Sequence, residues 1–341
     1  MQAKELDKDQ LERFMEVFYT LPARVKYRIL ESTTEYLATE KQAEQLTFLF
    51  DLSDTQSEDE TALDILGRRP RVGNRRRKRK IAFGWYGGKF SHLSWLLPFL
   101  PYTHHYCEPF GGSAAVLLNR EPSPVETYND IDGELANFFR VLRDQTDEII
   151  KAIALTPFSR EEFAGAISEL TDELSDLERA RRFFVRARQV RTGLAQTASI
   201  GRWANCKTTS RAGMAGAVSR WLGSIEGLSE IAERLLRVQI ENRPATKIIS
   251  LYDSEDTLFY CDPPYPHEIR KDTRSYKYEM TTEDHVELAS VLNSIEGKAA
   301  ISSYRCDLMD RLYEDWHCVE APEKNCHSVK KPRREAIWMN Y

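Results

Sequence analysis

Alternation of strand-like and helix-like segments is the feature of this sequence that most limits the folds open to it. From residue 81 onward, short apolar runs such as "DTLFYC" (256–261) and "KAAISSY" (298–304) alternate with helix-like runs such as "TTEDHVELASVLNSI" (281–295). The stretches "HHYCEPFGGSAAVLLNR" and "VETYNDIDGELANFFRVLRD" each read as a strand leading into a helix, the first through a glycine turn. Strands that alternate with helices predict an α/β fold with a mainly parallel sheet.

Composition divides the chain into four parts along its length. Residues 9–50 repeat apolar positions at helical spacing, which predicts an N-terminal helical module over 1–67. Residues 68–80 carry nine Lys or Arg and no acid, and predict a basic linker that either touches phosphates or is simply solvated. The alternation covers 81–150 and 241–341, whereas 151–240 interrupts it and predicts an inserted domain. That insert reads as mostly helical over 159–191 and irregular over 192–221.

The overall composition is that of a globular protein of two or three domains, with 341 residues of which 41% are hydrophobic. No apolar run reaches the roughly 18 residues that a spanning helix needs, and the charged N-terminus lacks an apolar signal core. We therefore expect a cytoplasmic protein with no membrane partner. The six cysteines form no CxxC pair, and we predict no metal site. Two weaker candidate groups show no recognised ligand spacing, namely Cys318, Cys326 and His327, and His104, His105 and Cys107.

Charge distribution indicates a nucleic-acid partner more clearly than net charge, which is −5. Residues 177–221 carry ten Lys or Arg against one acid, together with two phenylalanines and two tryptophans. Basic side chains interleaved with aromatic ones are typical of a surface that follows phosphates. The alternative is a solvated basic helix whose aromatic side chains belong to the core. On the first interpretation, the candidate phosphate contacts are Arg186, Arg188, Arg191, Arg202 and Arg211.

The glycine turn in "EPFGGSAAV" (108–116) is a candidate ligand site. Gly111 and Gly112 let the backbone approach a ligand closely between a strand and a helix, but the pattern is not the GxGxxG that cradles a pyrophosphate. Asp130 follows Gly111 by 19 residues, at the end of the next strand, where an acid suits a ribose diol. A ribose acid without a phosphate cradle favours a nucleoside ligand such as S-adenosylmethionine. Alternatively, the glycines serve packing and Asp130 caps the next helix.

Two further motifs carry polar and aromatic groups at turns. "GWYGGKF" (84–90) places Trp85, able to pack on a purine or a sulfonium, near Lys89, able to pair with a ligand carboxylate. "CDPPY" (261–265) ends an apolar strand with two prolines, which hold an acid and a tyrosine in a stiff corner. Such a corner suits the capture of a flat, hydrogen-bonding ring. Both motifs are also compatible with ordinary surface turns.

In combination, the motifs resemble a known family. "WYGGK", "EPFGGSAAV", "YNDID" and "CDPPY" occur in the order found in adenine-specific DNA methyltransferases of the Dam-like (alpha) group, and the resemblance covers 81–341. It implies a class I S-adenosylmethionine-dependent methyltransferase fold, a Rossmann-like sheet of seven strands with an antiparallel hairpin at one edge. It also implies that the insert is a target-recognition domain.

The resemblance assigns roles to residues of this sequence. It implies that Asp130 holds the ribose of S-adenosylmethionine and that Asp262 contacts both the cofactor and the target base. The implied cofactor-binding set is Trp85, Lys89, Glu108, Phe110, Gly111, Gly112, Asp130 and Asp262. The chain departs from the family pattern at Ala114, where glycine is usual, at Asp132, where asparagine is frequent, and at Gly84, where known members carry a lysine that touches DNA. GATC specificity is therefore not transferred.

The implied reaction is direct methyl transfer to the exocyclic amine of an adenine flipped out of duplex DNA. We expect Tyr265 to stack on the base, and the Asp262 carboxylate and the Pro263 carbonyl to accept the amino hydrogens while Pro264 keeps the corner rigid. The implied partner is duplex DNA. A cognate restriction nuclease is a candidate partner, and the alternative is an enzyme that acts alone. The N-terminal helices are candidates for dimerisation or for binding another partner. Three alternatives remain open: methylation of RNA adenine, methylation of a protein glutamine, and a DNA-binding module with a degenerate cofactor site.

Overall fold

The computed structural model describes residues 79–168, 173–191, 195–211, 213–270, 277–322 and 335–341. The chain divides into two units, Met1–Val72 and Gly73–Tyr341, and every described residue belongs to the second. The helical module predicted for 1–67 and nearly all of the linker predicted for 68–80 lie outside the described residues. The boundaries of the insert at 151–240 stay a prediction.

The strands of the described residues form one large sheet and one small hairpin. Their bounds are β1 (His105–Glu108), β2 (Val125–Asn129), β3 (Ser210–Arg211), β4 (Met214–Ala215), β5 (Val238–Glu241), β6 (Thr257–Cys261), β7 (Lys298–Tyr304), β8 (His317–Glu320) and β9 (Glu335–Met339). The large sheet has seven strands in the order β5-β2-β1-β6-β7-β9-β8, and β3 pairs with β4 in the hairpin.

Strand direction confirms the predicted mainly parallel sheet. The strands β5, β2, β1, β6 and β7 are parallel neighbours. His105 of β1, for example, pairs with Val125 of β2 on one side and with Thr257 of β6 on the other. Only β9 runs against its neighbours β7 and β8, so β8 and β9 form an antiparallel hairpin at one edge. The chain leaves β1 towards β2 and β5 on one side, and later lays β6 and β7 on the other. The sheet therefore reverses its winding between β1 and β6.

Helices cover both faces of this sheet. They are α1 (Leu93–Leu96), α2 (Gly133–Asp144), α3 (Thr146–Ala154), α4 (Arg160–Ile167), α5 (Asp176–Gln189), α6 (Gly216–Ile225), α7 (Leu228–Leu235), α8 (Ala245–Tyr252), α9 (Thr282–Leu292) and α10 (Asp307–Leu312). Short 3₁₀ turns lie at Lys89–Ser91, Leu97–Phe99, Ile200–Arg202 and His267–Ile269. Among the described helices, none combines the length and the apolar character needed to cross a membrane.

Side chains alternate between two apolar cores along each central strand, as the twofold period of a strand requires. Tyr106 and Leu258 join the core that contains α2 and α5, whereas their neighbours Cys107 and Phe259 join the core beneath α8, α9 and α10. Both cores are fully buried, and together they fix the register of β1 against β6.

The aromatic side chains of the insert belong to the first of these cores. Phe183 and Phe184 on α5 are 2% and 0% exposed, and the Phe184 ring stacks on Phe138 of α2 at 5.6 Å. Trp221 on α6 is also buried and contacts Phe184. The prediction that these three rings interleave with basic residues on a binding surface is therefore wrong. Their apolar area is better satisfied by packing α5 and α6 against α2.

Two predictions of local structure are also wrong. The segment after Gly112 forms successive turns instead of a helix, because Ala114 has φ +54° and sends the backbone out of the helical path. Glycine tolerates this conformation better than alanine, which gives a physical reason for the glycine usual at this position in the family that the sequence resembles. Within 192–221, predicted to be irregular, the last residues open helix α6.

Candidate active site

A cavity of about 560 Å³ lies at the carboxyl ends of β1, β2 and β6, where the sheet reverses its winding. Ligands of open α/β sheets bind at this point, because the loops leaving the two central strands diverge there. The structure brings all the predicted cofactor-binding residues to the wall of this one cavity, namely Trp85, Lys89, Glu108, Phe110, Gly111, Gly112, Asp130 and Asp262. Pro264 also lines it.

The glycine turn forms the floor of the cavity through close contacts. An ideal Cβ placed on Gly111 would lie 2.1 Å from Cε2 of Tyr128, so no larger residue fits there without moving that buried ring. Gly112 adopts φ +49° and packs beneath the indole of Trp85. The Tyr128 hydroxyl donates to the Gly112 carbonyl at 2.8 Å, which fixes the turn.

Asp130 and Asp132 divide two tasks at the end of β2. Asp132 is the N-cap of α2, and its carboxylate accepts the backbone N–H of Glu134 at 3.1 Å. Asp130 instead accepts the N–H groups of Gly112 and Asp132, each at 2.9 Å, and lines the cavity. Burial raises the pKa of Asp130 to about 6, and these two backbone hydrogen bonds oppose the rise. The alternative that Asp130 merely caps the helix is therefore wrong.

Glu108 is a buried acid at the end of β1. It accepts the hydroxyl of Tyr106 at 2.8 Å, and burial raises its pKa to about 8. At neutral pH the Glu108 side chain is therefore mostly the neutral acid, which can donate one hydrogen bond as well as accept others. The cavity thus offers one ionised and one largely neutral carboxyl group on adjacent strands.

Asp262, directly after β6, lies in a buried network of charges. Its Oδ1 accepts Lys89 Nζ at 2.5 Å and Ser302 Oγ at 2.9 Å, and within the described part of the chain Oδ2 accepts no hydrogen bond. Burial raises the pKa of Asp262, and the Lys89 ammonium opposes this rise. For Lys89, burial favours the neutral amine, but Asp262 and Glu335 outweigh it and raise its pKa. Lys89 is thus held by protein carboxylates, and its predicted pairing with a ligand carboxylate stays a prediction.

Tyr265 differs in placement from Asp262. Its ring is 8% exposed, lies edge-on to Tyr304 at 5.0 Å and does not line the cavity, and its hydroxyl donates to Glu335 Oε1. Pro263 is buried as well. The stiff corner therefore presents Asp262 and Pro264 to the cavity but turns the tyrosine inward. Stacking of Tyr265 on a base, expected from the sequence, requires its ring to move.

Glu335, the first residue of β9, and Ser302 of β7 are the members of this network that the sequence analysis missed. Glu335 is 7% exposed, contacts the Tyr265 hydroxyl and lies 3.3 Å from Lys89 Nζ. Its only signal in the sequence is a lone acid before the apolar run "AIWM". Other cavity residues without a recognised motif come from the start of α8 and from α9, namely Pro244, Ala245, Thr246, Asp284, Glu287 and Leu288.

The basic residues of the insert separate into two groups. Arg179, Arg181, Arg182 and Arg186 on α5 lie within ion-pair distance of Glu134, Glu162 or Glu178. Arg186 also donates to the Ala166 carbonyl at 2.8 Å, so its guanidinium has a structural role that competes with the predicted DNA contact. The other DNA-binding candidates, Arg188, Arg191, Arg202 and Arg211, lie beyond this cluster, and their contacts with DNA stay predictions.

The sheet topology, the glycine turn and the acid that ends β2 together define a methyltransferase of the class I type. The chain belongs to the D12 class of N6 adenine-specific DNA methyltransferases, whose family model matches residues 85–332. It is therefore an enzyme that methylates adenine in DNA, and the resemblance inferred from the sequence is confirmed. Membership implies a methyl donor and a DNA substrate.

Two relatives give further comparisons. The chain is 27% identical over 267 residues to the "Type II methyltransferase M1.LlaDCHI" of Lactococcus lactis subsp. cremoris, a match that covers 71% of this chain and 87% of the relative. It is 30% identical over 91 residues to the "DNA N-6-adenine-methyltransferase" of Escherichia phage P1. That second match is local, covering 24% of this chain and 12% of the phage protein.

Proposed function

We propose that this enzyme transfers a methyl group from S-adenosylmethionine, bound in the cavity, to the exocyclic amine of an adenine flipped out of duplex DNA. The observation that carries the proposal is the placement of Asp262 in the same cavity as the glycine turn and Asp130. A nucleoside ligand held at Asp130 and a base held at Asp262 would thereby meet in one enclosed volume.

The residues of the cavity fit S-adenosylmethionine. The volume of about 560 Å³ lies within the range of small-molecule sites. Asp130 is fixed by two backbone N–H groups and has acceptor capacity left for a ribose diol, and Trp85 offers an aromatic face beside Gly112. Bound there, S-adenosylmethionine would supply a methyl group on a positively charged sulfur. The surrounding aromatic and acidic side chains suit that charge.

Asp262 and Pro263 would prepare the adenine amine. This amine is a poor nucleophile because its lone pair is delocalised into the ring. Two acceptors, Oδ2 of Asp262 and the carbonyl of Pro263, would accept hydrogen bonds from its two N–H groups and thereby favour a lone pair localised on the nitrogen. Lys89 and Ser302 hold the other oxygen of Asp262, so this acceptor is positioned before the base arrives. Much of the barrier reduction would come from positioning.

The proposal is tested by expressing the full chain in a bacterial host that lacks adenine methylation and sequencing the host DNA with single-molecule detection of modified bases. We expect methylated adenine at one short motif, and none in a host that carries Asp262→Ala. If the protein is folded and binds S-adenosylmethionine but leaves host DNA unmodified, duplex DNA alone does not support the reaction. Structured RNA and a partner-dependent reaction would then be assayed.

We expect the affinity for S-adenosylmethionine to fall about tenfold per pH unit below pH 6, because the neutral form of Asp130 cannot accept both ribose hydroxyls. The pKa of Asp130 is raised to about 6, so its ionised, binding form dominates above that pH and is lost as pH falls through it. Calorimetric titration across this range measures the effect. Asp130→Asn should bind S-adenosylmethionine weakly, with an affinity that does not change with pH in this range. A steep pH dependence in that variant would assign the titration to another group. Glu108, with a pKa of about 8, titrates in a separate window.

Removing the ring of Tyr265 should weaken capture of the flipped base by about 10–100-fold, the range expected for one lost base–aromatic stack. A fluorescent adenine analogue at the target position reports flipping, and binding of S-adenosylmethionine to Tyr265→Ala should change far less. Tyr265→Phe is the matched control, since it keeps the ring and loses only the bond to Glu335. Normal flipping by Tyr265→Ala would remove Tyr265 from the mechanism.

A cognate restriction nuclease is the proposed biological partner. Its basis is the likeness to a protein named a Type II methyltransferase. We further propose that the enzyme acts in the cytoplasm and that the N-terminal helices dimerise or bind a partner protein. Protection of plasmid DNA, methylated in the host, against a nuclease that cleaves the same motif tests the pairing.

A further inference from the structure

A second cavity, of about 300 Å³, lies in the insert and shares no lining residue with the active-site cavity. Three arginines line it: Arg188 in the last turn of α5, Arg191 just beyond that helix, and Arg220 on α6. Phe158 and Asn205 complete its wall together with small side chains. We call this cavity the arginine cleft.

Two of the three arginines of this cleft, Arg188 and Arg220, differ from the paired arginines of α5. Among the described residues, no carboxylate lies within ion-pair distance of Arg188 or Arg220, in contrast to the paired arginines earlier on α5. Arg188 donates to the Arg220 carbonyl at 3.3 Å, and burial together with the Arg220 charge lowers the pKa of Arg188 to about 10. Arg188 is partly buried and Arg220 is exposed, and their like charges repel each other, so an anion between them would offset that repulsion.

A phosphodiester group matches the charge and the donors of this cleft. A guanidinium presents its N–H donors in a planar fork that matches two phosphate oxygens. Arg191 is held by the Trp203 carbonyl at 3.2 Å and by Asn205 Oδ1 at 2.5 Å, so its position is fixed at the rim. The substrate of the enzyme is DNA, whose backbone offers phosphates at every nucleotide.

The arginine cleft lies close to the active site along the chain. Gln196, five residues after Arg191, lines the active-site cavity, where it approaches Asp132 at 3.5 Å and accepts the N–H of Lys277 at 3.2 Å. Five extended residues span at most about 18 Å.

We propose that Arg188 and Arg220, supported by Arg191, bind a backbone phosphodiester of the target DNA outside the active site. This assignment rests on the proposed function. It gives the insert a fixed phosphate contact that sets the register of the duplex relative to the active site. Contacts of this kind position a protein on DNA without reading its sequence.

The first test measures binding of the full chain to a short fluorescent duplex at several salt concentrations. The double variant Arg188→Gln with Arg220→Gln should reduce the slope of log K against log[KCl] by about 1, and lower the affinity about 3–10-fold. Arg188→Lys with Arg220→Lys keeps both charges and should retain the slope. Arg311→Gln, which removes an exposed arginine of α10 on the other face of the sheet, is the matched control and should change neither quantity. Unchanged affinity for S-adenosylmethionine shows that each variant is folded.

The second test locates the phosphate. Duplexes with a single neutral methylphosphonate, placed at each position in turn, should bind the wild-type enzyme more weakly at one or two positions. In the double glutamine variant that penalty should disappear. The proposal would be overturned if the double glutamine variant had the salt slope of the wild type, or if it kept the methylphosphonate penalty at the positions found for the wild type. Stabilisation of the wild type by inorganic phosphate, combined with unchanged DNA binding by the variant, would assign the cleft to a free anion instead.

Both tests measure binding and not methyl transfer. Failure of the proposed reaction would leave them interpretable, and loss of the phosphate contact would leave methylation of DNA as a separate question.

Discussion

Asp262→Ala is expected to lower the rate of methyl transfer by about a thousandfold or more while the protein stays folded. The substitution removes an acceptor that two side chains hold in place, and the Pro263 carbonyl alone cannot orient the amine. Lys89 keeps its contacts with Glu335 at 3.3 Å and with the Gly87 carbonyl at 3.0 Å, so its buried charge is not left without partners. Single-turnover transfer of a labelled methyl group to duplex DNA measures the effect.

Two controls make the Asp262 result specific. Asp315→Ala removes an exposed aspartate outside the cavity and should have wild-type activity. Binding of S-adenosylmethionine by Asp262→Ala should fall far less than the rate of transfer, since Asp130 and the glycine turn are untouched. Transfer within about tenfold of the wild-type rate would show that another group prepares the amine.

Gly111→Ala should cost about 3 kcal/mol of stability and abolish tight cofactor binding. The new methyl group would meet the Tyr128 ring, whose hydroxyl holds the Gly112 carbonyl, so relief of the clash must distort the floor of the cavity. Because the unfolding entropy is about 2.1 cal/mol/K per residue, the melting temperature should fall by about 4–5 °C. Differential scanning calorimetry and calorimetric titration with S-adenosylmethionine measure the two effects.

A helix glycine supplies a control with the opposite sign. Gly165 lies within α4, and no heavy atom lies within 4 Å of the Cβ that an alanine would add. Gly165→Ala should therefore raise stability by about 0.5–1 kcal/mol through helix propensity alone. If Gly111→Ala behaved like Gly165→Ala, the close approach of Tyr128 would not constrain the turn.

Sequence reasoning located the cavity because its chemistry sits where strands end. Asp130 and Asp262 each follow a predicted strand, and parallel strands bring such ends to one edge, so their convergence follows from local pattern plus sheet direction. The sequence also predicted mostly helical structure over 159–191 and a helix within 281–295, where the structure has α4, α5 and α9.

Features that depend on partners distant in the chain were not predictable. Glu335 contacts Tyr265 and Lys89 only because β9 lies beside β7, and no local pattern encodes that pairing. The ion pair of Arg186 depends in the same way on Glu134 of another helix. A composition count treats every arginine alike, whereas burial against α2 separates those that stabilise the fold from those that face a cleft.

The pairing of β1 with β6 has a consequence for how the protein folds. His105 and Thr257 pair across 152 positions of sequence, with the whole insert between them, so this register forms only after a long loop has closed. We expect this strand pairing to form late in refolding, and activity to recover only once it has formed. A small molecule that binds at the carboxyl ends of both strands contacts both halves of the sheet and stabilises their pairing. It favours the native state by mass action in proportion to its concentration over its dissociation constant. The methyl donor would then double as a folding ligand.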